Sequence, residues 1–305
     1  ADMTIALTGA TGFVGQAVLA EALRCEEPVR ALTRRHMAQR EGVAWVEGTL
    51  DEKPALAQLV AGAEAVIHVA GLTNTPDPDA FHEANVVGTQ NLLRACQDAR
   101  VKRFIFVSSL SAREPDLSRY GRSKAEAEEF VSASGLDWTI VRPPGVYGPH
   151  DVDYFEMFRS AQFGFVPLPP GGASSIIHVD DLARLLFALV DASPGLVRRR
   201  TFEPDDGREG GWSHKELAKA IGKAVGRPVF APHLPRAVLE AAARLDRLMR
   251  GDKARLTADR VGYMTHPNWV ARSAMKVPEA VWSPRVPGAE GLVSTARWYR
   301  MEGWL

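Results

Sequence analysis

Thr8-Gly-Ala-Thr-Gly-Phe-Val-Gly15 decides how the rest of this chain is read. The apolar run Ile5–Leu7 precedes it and a stretch of helical length follows, so the three glycines occupy a turn between a strand and a helix. Each glycine has its own task there. Gly9 permits the sharp turn, Gly12 lets backbone come close to a pyrophosphate, and Gly15 allows the helix to pack tightly on the strand. The helix start adds free N–H groups and the positive end of its dipole, which makes Thr11, Phe13 and Val14 further cofactor contacts. The spacing is Gly-x-x-Gly-x-x-Gly, one residue longer in its first gap than Gly-x-Gly-x-x-Gly. Three glycines alone specify little. In the first turn of an alternating chain they specify a dinucleotide site.

This chain does alternate. Short apolar runs at Val29–Leu32, Val43–Val46, Ala65–Val69, Phe104–Val107 and Thr139–Val141 suit strands covered on both faces. Between them lie stretches of helical length, among them Pro54–Val60, Ala80–Cys96 and Ser118–Val131. The pattern predicts an α/β fold, a Rossmann-type doubly wound parallel sheet over residues 1–145, with 176–204 returning to it. Residues 146–175 and 205–305 are expected to form a smaller, mostly C-terminal α/β substrate lobe. Pro and Gly cluster at 143–149 and 166–172, which read as long loops over a site. The aromatics Phe155, Phe158, Phe163 and Phe165 in that stretch are candidates for an apolar pocket wall. Leu217, Ile221 and Val225 mark an amphipathic helix starting near Ser213, and Pro235–Arg250 marks another that ends at Gly251. The second has Leu and Ala on one side and four arginines. It is expected to pack into the lobe's core rather than touch a membrane surface.

Composition removes several classes of function. Among 305 residues, 37 Lys+Arg balance 37 Asp+Glu, so no basic surface for nucleic acid is expected. Cys25 and Cys96 lie too far apart for a zinc site or a disulfide framework and read as two buried thiols. No apolar run approaches the roughly 20 residues of a membrane span, and no signal-peptide pattern opens the chain. A cytoplasmic globular protein with a small-molecule substrate is expected, and a homodimer stays open. His178 and Asp180-Asp181 have no second ligand cluster, so they read as a strand-end His and a helix cap, not a metal site.

Two further patterns carry chemistry. After the second strand, where NAD binders place an acidic residue against the ribose 2′-OH, stand Thr33-Arg34-Arg35. Two guanidinium groups there suit a 2′-phosphate and favour NADP(H) over NAD(H). In Tyr120-Gly-Arg-Ser-Lys124, positions i and i+4 share a helix face, so phenol and ammonium can enter one site, where the ammonium would lower the phenol's pKa. Ser109 sits at the end of the preceding strand, where ligands bind in open α/β sheets.

Together these motifs resemble the extended or atypical branch of the short-chain dehydrogenase/reductases, the NAD-dependent epimerase/dehydratase-like group. The resemblance covers most of the chain. It rests on Thr8–Gly15, His68-Val-Ala-Gly71, Asn85-Val-Val-Gly-Thr89, Val107-Ser-Ser109, Tyr120/Lys124, Arg142–Gly148 and His178–Ala183. It implies Ser109, Tyr120 and Lys124 as the catalytic set, with Asn85 supporting the active-site helix and proton relay. It also implies that His68, Val69, Ala70 and Gly71 line the adenine ribose side, and that Pro143 to Val146 pass the nicotinamide. Tyr120 and Lys124 would touch the cofactor as well. Trp298–Leu305 looks like the closing helix of members of the group.

Three departures bear on function. Only 11 positions separate Ser109 from Tyr120, fewer than in sugar epimerases, which leaves Ser109 or Ser111 to face the substrate. Thr49, followed by Leu50, stands where many members place an Asp against the adenine amino group. Ser174 occupies the position of the arginine that clamps a sugar nucleotide's pyrophosphate, and a hydroxyl cannot replace a guanidinium there. A compensating cation would have to come from Arg184, Arg236 or a C-terminal arginine. The chain therefore reads as an NADP(H)-dependent oxidoreductase interconverting an alcohol and a carbonyl on an apolar small molecule of sterol-, flavonoid- or polyketide-like character. The alternatives are an epimerase or dehydratase with bound NAD(P), and a non-catalytic NADPH-binding or sensor subunit.

Overall fold

The computed structural model describes residues 4–305. Its first six strands are β1 (Ile5–Thr8), β2 (Val29–Thr33), β3 (Val43–Glu47), β4 (Ala65–His68), β5 (Arg103–Val107) and β6 (Asp137–Val141), all in parallel pairings. Three short strands follow: β7 (Gly145–Tyr147), β8 (Ala173–Ser174) and β9 (Ile176–His178). Then β10 (Arg200–Phe202) returns beside β6 and completes a seven-stranded sheet in the order β10-β6-β5-β4-β1-β2-β3. β1, β4 and β5 are buried along their whole length, as continuous apolar runs covered on both faces must be. Chain order reverses between β1 and β4. A crevice opens there, outside the carboxyl ends of the strands.

The helices fall on the two faces. α1 (Phe13–Arg24) covers one face, the other being covered by α2 (Lys53–Val60) and by α4 (Gly88–Asp98), which is preceded by the single turn α3 (Ala80–His82). Between α3 and α4 the chain runs through a π-helical turn, Glu83–Val87, so the helix expected over Ala80–Cys96 carries a bulge at Asn85. α5 (Arg119–Ser132), capped by Ser118, packs beside α4. Later come α6 (Phe155–Gln162), α7 (Val179–Asp191), which lies against α1, and the short α8 (Pro194–Val197). His178 caps α7, its Nδ1 accepting the Asp180 N–H at 3.1 Å.

The remaining elements build the lobe. β11 (Trp212–Ser213) and β12 (Asn268–Trp269) flank β8 in a three-stranded sheet, and α9 (His214–Val225) starts on a Ser213/Glu216 capping box. α10 (Arg236–Arg250), α11 (Ala258–Met264) and α12 (Gly288–Met301) follow. Tyr147, Phe158, Ile221, Leu292 and Tyr299 form the lobe's core.

Three expectations change. The stretch after Gly145 is not mainly loop: β7 and α6 lie in it, and the helix turns Phe158 into the core while Phe163 and Phe165 end exposed. None of the four phenylalanines lines the crevice. Cys25 is exposed at the C-terminal end of α1, beside Glu21 and Arg24; only Cys96 is buried. α10 buries only Leu239 and Ala243, so its packing into the lobe is slight.

Candidate active site

The crevice has a volume of about 1220 Å³, room for a dinucleotide and a second molecule. Its inner wall is backbone. Gly9 has φ +74°, and a Cβ there would stand 2.7 Å from Ala70 N. A Cβ on Gly15 would stand 1.8 Å from Gly9 O, so α1 can approach the turn only with glycine at that position. The start of α1, with Gly12 as its cap, therefore points its free N–H groups into the crevice without side chains in the way. Thr11, Phe13 and Val14 line the same turn, and Val69, Ala70 and Gly71 face it from the end of β4. Thr49 and Leu50 close one end; Pro143 and Val146 stand toward the other. These residues fit an NAD(P) molecule laid from Arg34 to Lys124.

The basic pair divides. Arg34 lines the crevice, whereas Arg35 faces a neighbouring cavity with Thr11, Phe13 and Gln16. Thr33 fixes this arrangement by donating from its hydroxyl to Arg35 O at 2.8 Å. His68 does not reach the crevice. It is fully buried in the sheet, one residue short of the lining.

Ser109, Tyr120 and Lys124 meet at the inner end. Ser109 caps a short 3₁₀ turn, accepting the Ser111 N–H at 3.1 Å and donating its hydroxyl to Ser111 Oγ at 3.1 Å, so both serines line the site. Tyr120 packs between Phe81 and Tyr263, with ring centroids 5.7 and 6.1 Å away. Asp259 on α11 accepts the N–H groups of Arg119 and Tyr120 at 2.6 and 3.2 Å and anchors the start of α5. Lys124 Nζ donates to Val107 O at 3.0 Å and lies over the Phe106 ring.

The electrostatics correct one expectation. Burial pushes the Tyr120 phenol well above its ordinary value, with the Ser109 hydroxyl pulling the other way. Lys124 does not lower it: the ammonium is turned onto the Val107 carbonyl. Burial also brings the Lys124 pKa down to about 8, against the pull of Glu128. Tyr120 is therefore a proton-holding group and Lys124 an ammonium that can be discharged just above neutrality.

A buried hydrogen-bond chain connects the Gly-rich turn to the Tyr120 helix. Thr8 Oγ1 accepts the N–H groups of Val69 and Ala70, both at 3.1 Å, which leaves its hydroxyl proton for His68 Nδ1 at 2.6 Å. His68 Nε2 then donates to Thr89 Oγ1 at 2.9 Å, because Thr89 donates its own proton to Asn85 O. The Asn85 side chain grips Leu72 N and O and donates to Ser123 Oγ at 3.0 Å, and Ser123 donates to Tyr120 O at 2.7 Å. Asn85 thus touches the loop backbone at Leu72 and Ser123 on α5, not Tyr120 Oη. Burial holds His68 neutral, its pKa down to about 3. The π-helical turn is what aims Asn85 at both neighbours.

The outer wall contains residues that no motif announced. Val152, Tyr263, Met264 and Trp269 supply apolar surface, joined by Leu72 from the inner loop. Ser174 does line the crevice. Arg184 and Arg236 do not: Arg184 pairs with Asp181, and Arg236 with Glu240 on α10. The cation that reaches in is Arg260, whose Nη2 donates to Asp153 Oδ1 at 3.0 Å. The two residues are 107 positions apart, so no local pattern in the sequence joins them. Asp151 there is pushed up to about 7 by burial.

Comparison with known proteins identifies the family and the fold. The profile of a family described as NAD(P)H-binding matches residues 9–192. A ceramide reductase of Caulobacter vibrioides is 34% identical over 312 residues, covering 99% of this chain and 96% of that protein. A UDP-glucose 4-epimerase of Vibrio cholerae is 27% identical, over 76% of this chain and 79% of its own. Among solved structures, MoeE5 in complex with UDP-glucose and NAD superposes with a TM-score of 0.74 at 21% identity, covering 98% and 99% of the two chains.

Proposed function

The chain belongs to the NAD(P)H-binding family of extended short-chain dehydrogenases/reductases, and from that premise we propose that it is an NADP(H)-dependent reductase of a ketone on a long-chain, mostly apolar molecule. Its relatives are named reductases and epimerases, so an oxidoreductase- or epimerase-type role is common ground. One observation carries the finer reading. Ser109, Tyr120 and Lys124 share a crevice whose outer end sets apolar Val152, Tyr263, Met264 and Trp269 beside the carboxylates Asp77, Asp79 and Asp153, and the one cation there among the described residues, Arg260, already has a carboxylate partner. Such an end suits an uncharged ligand better than a pyrophosphate.

In this reading Ser109 holds the carbonyl oxygen and Tyr120 gives it a proton; Ser111 keeps the Ser109 hydroxyl in place. A phenol kept protonated by burial is suited to the acid role in the reducing direction. Lys124, still largely charged at neutral pH, would hold the nicotinamide ribose. Bound NADPH supplies the hydride. Arg34 from the crevice and Arg35 from the adjoining cavity would embrace the 2′-phosphate.

The name of the Caulobacter relative points to the substrate class: a long-chain ketone carrying an amide, as an oxidised ceramide does. The test is a direct competition. NADPH oxidation is followed with long-chain keto-amides and simple long-chain ketones, and UDP-glucose, whose epimerisation consumes no net NADPH, is incubated with enzyme and NAD and its product analysed by chromatography. Turnover of the ketones is expected. Conversion of UDP-glucose with none of the ketones would replace this reading by the epimerase one, which Arg260 in the crevice would then serve.

A further inference from the structure

α10 presents an apolar stripe that the rest of the chain does not cover. At 100° per residue, Val238, Ala241, Leu245, Leu248 and Met249 share one arc of the helix. Val238 is 46% exposed, Leu245 56%, Leu248 83% and Met249 77%. The protein is met on a different arc, where Leu239 and Ala243 pack against Val261. Exposed large apolar side chains scattered singly need no account; four on one helix do.

Charge and position indicate what covers them. From Arg236 to Arg255 there are six basic and three acidic residues, in a chain whose total charge is balanced. Arg244 is exposed beside the stripe, and the pair Arg236–Glu240 is solvent-facing, where an ion pair is weak and can be exchanged for another anion. The helix also borders the mouth of the crevice. Arg247 Nη1 donates to Pro76 O at 2.9 Å, and Asn74 donates to Arg255 O at 3.3 Å; these bonds fasten α10 and its exit to the loop whose Leu72, Thr73 and Asp77 line the crevice. α11, just downstream, sends Arg260, Tyr263 and Met264 into the same space.

We propose that α10 docks on the surface of an anionic lipid bilayer, with Val238, Leu245, Leu248 and Met249 in the acyl boundary and Arg244, at the flank of the stripe, among the headgroups. That is the arrangement of an interfacial amphipathic helix. A bilayer fits better than a second copy of this chain. Two copies meeting on the stripe would set like charges against each other, and one helix face offers less than the roughly 800 Å² per partner of a stable dimer. Docking would set the crevice mouth at the lipid surface, where an apolar substrate is concentrated.

Flotation with vesicles of phosphatidylcholine, with and without phosphatidylglycerol, tests this without any substrate, so its failure leaves the proposed reaction standing. The chain should float with the phosphatidylglycerol vesicles and lose binding as salt is raised. Leu248→Glu with Met249→Glu should weaken flotation at least about tenfold. Arg244→Glu should weaken it less. These side chains are exposed, so NADPH binding and the circular-dichroism spectrum should be unchanged and would certify the fold. No flotation of the parent chain, or flotation indifferent to the double variant, overturns the proposal. So does a dimer that the double variant dissolves while vesicles are ignored, which would give the stripe to a second copy.

Discussion

The two walls of the crevice are built by opposite means. The inner wall, proposed above to meet the cofactor, consists of consecutive residues of single turns, Gly9 to Gly15 and Val69 to Gly71, and what matters there is where backbone can go. The outer wall joins residues far apart in sequence, such as Val152, Asp153, Ser174, Arg260 and Trp269, and side chains decide its character. The first kind of wall tolerates almost no variation, because a Cβ on Gly15 would collide with Gly9 O. The second can change its ligand by changing one pair of side chains.

The largest effect is expected where the walls meet. Tyr120→Phe keeps the ring between Phe81 and Tyr263 and deletes only the hydroxyl. Folding and NADPH affinity should persist while kcat falls on the order of 10²–10⁴-fold, the usual loss for a positioned acid. Single-turnover reduction of a long-chain ketone reads it out. A variant that turns over like its parent would remove Tyr120 from the chemistry and leave the inner wall a binding surface only.

Next in size is a test of the inner wall's one side-chain device. Replacing Arg34 and Arg35 by serine should weaken NADPH by about one to two decades, from roughly 1.5–3 kcal/mol of lost charged hydrogen bonding, and leave NADH nearly unaffected. Titration of both cofactors against both proteins checks it. Equal weakening would mean that the arginines serve the turn rather than a 2′-phosphate.

What could be read in advance follows the same division. The sheet, α1, α5 and the glycine turn were legible because apolar period, strand length and glycine spacing are local signals, and their physics acts over a few residues. The roles of Ser109, Tyr120 and Lys124 could be suggested because they too fall within one strand–helix unit. Arg260 could not be found that way: nothing between Thr257 and Met264 distinguishes it from a surface arginine until Asp153 is folded beside it. The phenylalanines of 155–165 misled for the converse reason. Their spacing was read as loop, yet α6 turns Phe158 onto Tyr299, with centroids 5.2 Å apart. The apolar side of α10 was legible, but its exposure was not: core packing was expected over a membrane surface, since amphipathicity does not say which way a helix faces.

A third prediction probes how the inner wall is held. His68 accepts from Thr8 at one ring nitrogen and donates to Thr89 from the other, so a second ring proton would break the chain toward Asn85. Burial lowers its pKa from 6.5 to about 3. The folded state therefore refuses a proton that the unfolded chain takes up below pH 6.5, and stability is lost as pH falls through that point and on toward 3. Between pH 7 and 5 the loss from this one group should be about 2 kcal/mol. Urea midpoints at the two pH values measure it, and His68→Gln should flatten the difference while lowering stability at pH 7. Because Asp151, raised to about 7, works in the opposite sense over the same range, the difference between parent and His68→Gln is the quantity that decides: if the variant's change from pH 7 to 5 equals the parent's, His68 is not held neutral.

The smallest effect should come from the outer wall, and it bears most directly on substrate class. Arg260 is mostly buried and Asp153 is about half exposed, so their ion pair is partly screened, on the order of 1 kcal/mol or less. Its influence on specificity is expected to exceed that on stability, because the carboxylate pairs with Arg260, the one cation among the described residues that a pyrophosphate could meet at this end of the crevice. Asp153→Asn is nearly isosteric and leaves that charge unbalanced. The Kd for UDP should then drop several-fold, up to about fivefold for 1 kcal/mol, with the gain shrinking at high salt. KM for a long-chain ketone should change little, since Val152, Tyr263, Met264 and Trp269 are untouched. Arg260→Met in the same background should abolish the gain, which separates the guanidinium from any general loosening of the loop. If Asp153→Asn leaves UDP binding where it was, or if the parent chain already binds UDP-glucose tightly, charge pairing does not set the outer wall's preference. The difference between the two walls would then lie in shape alone.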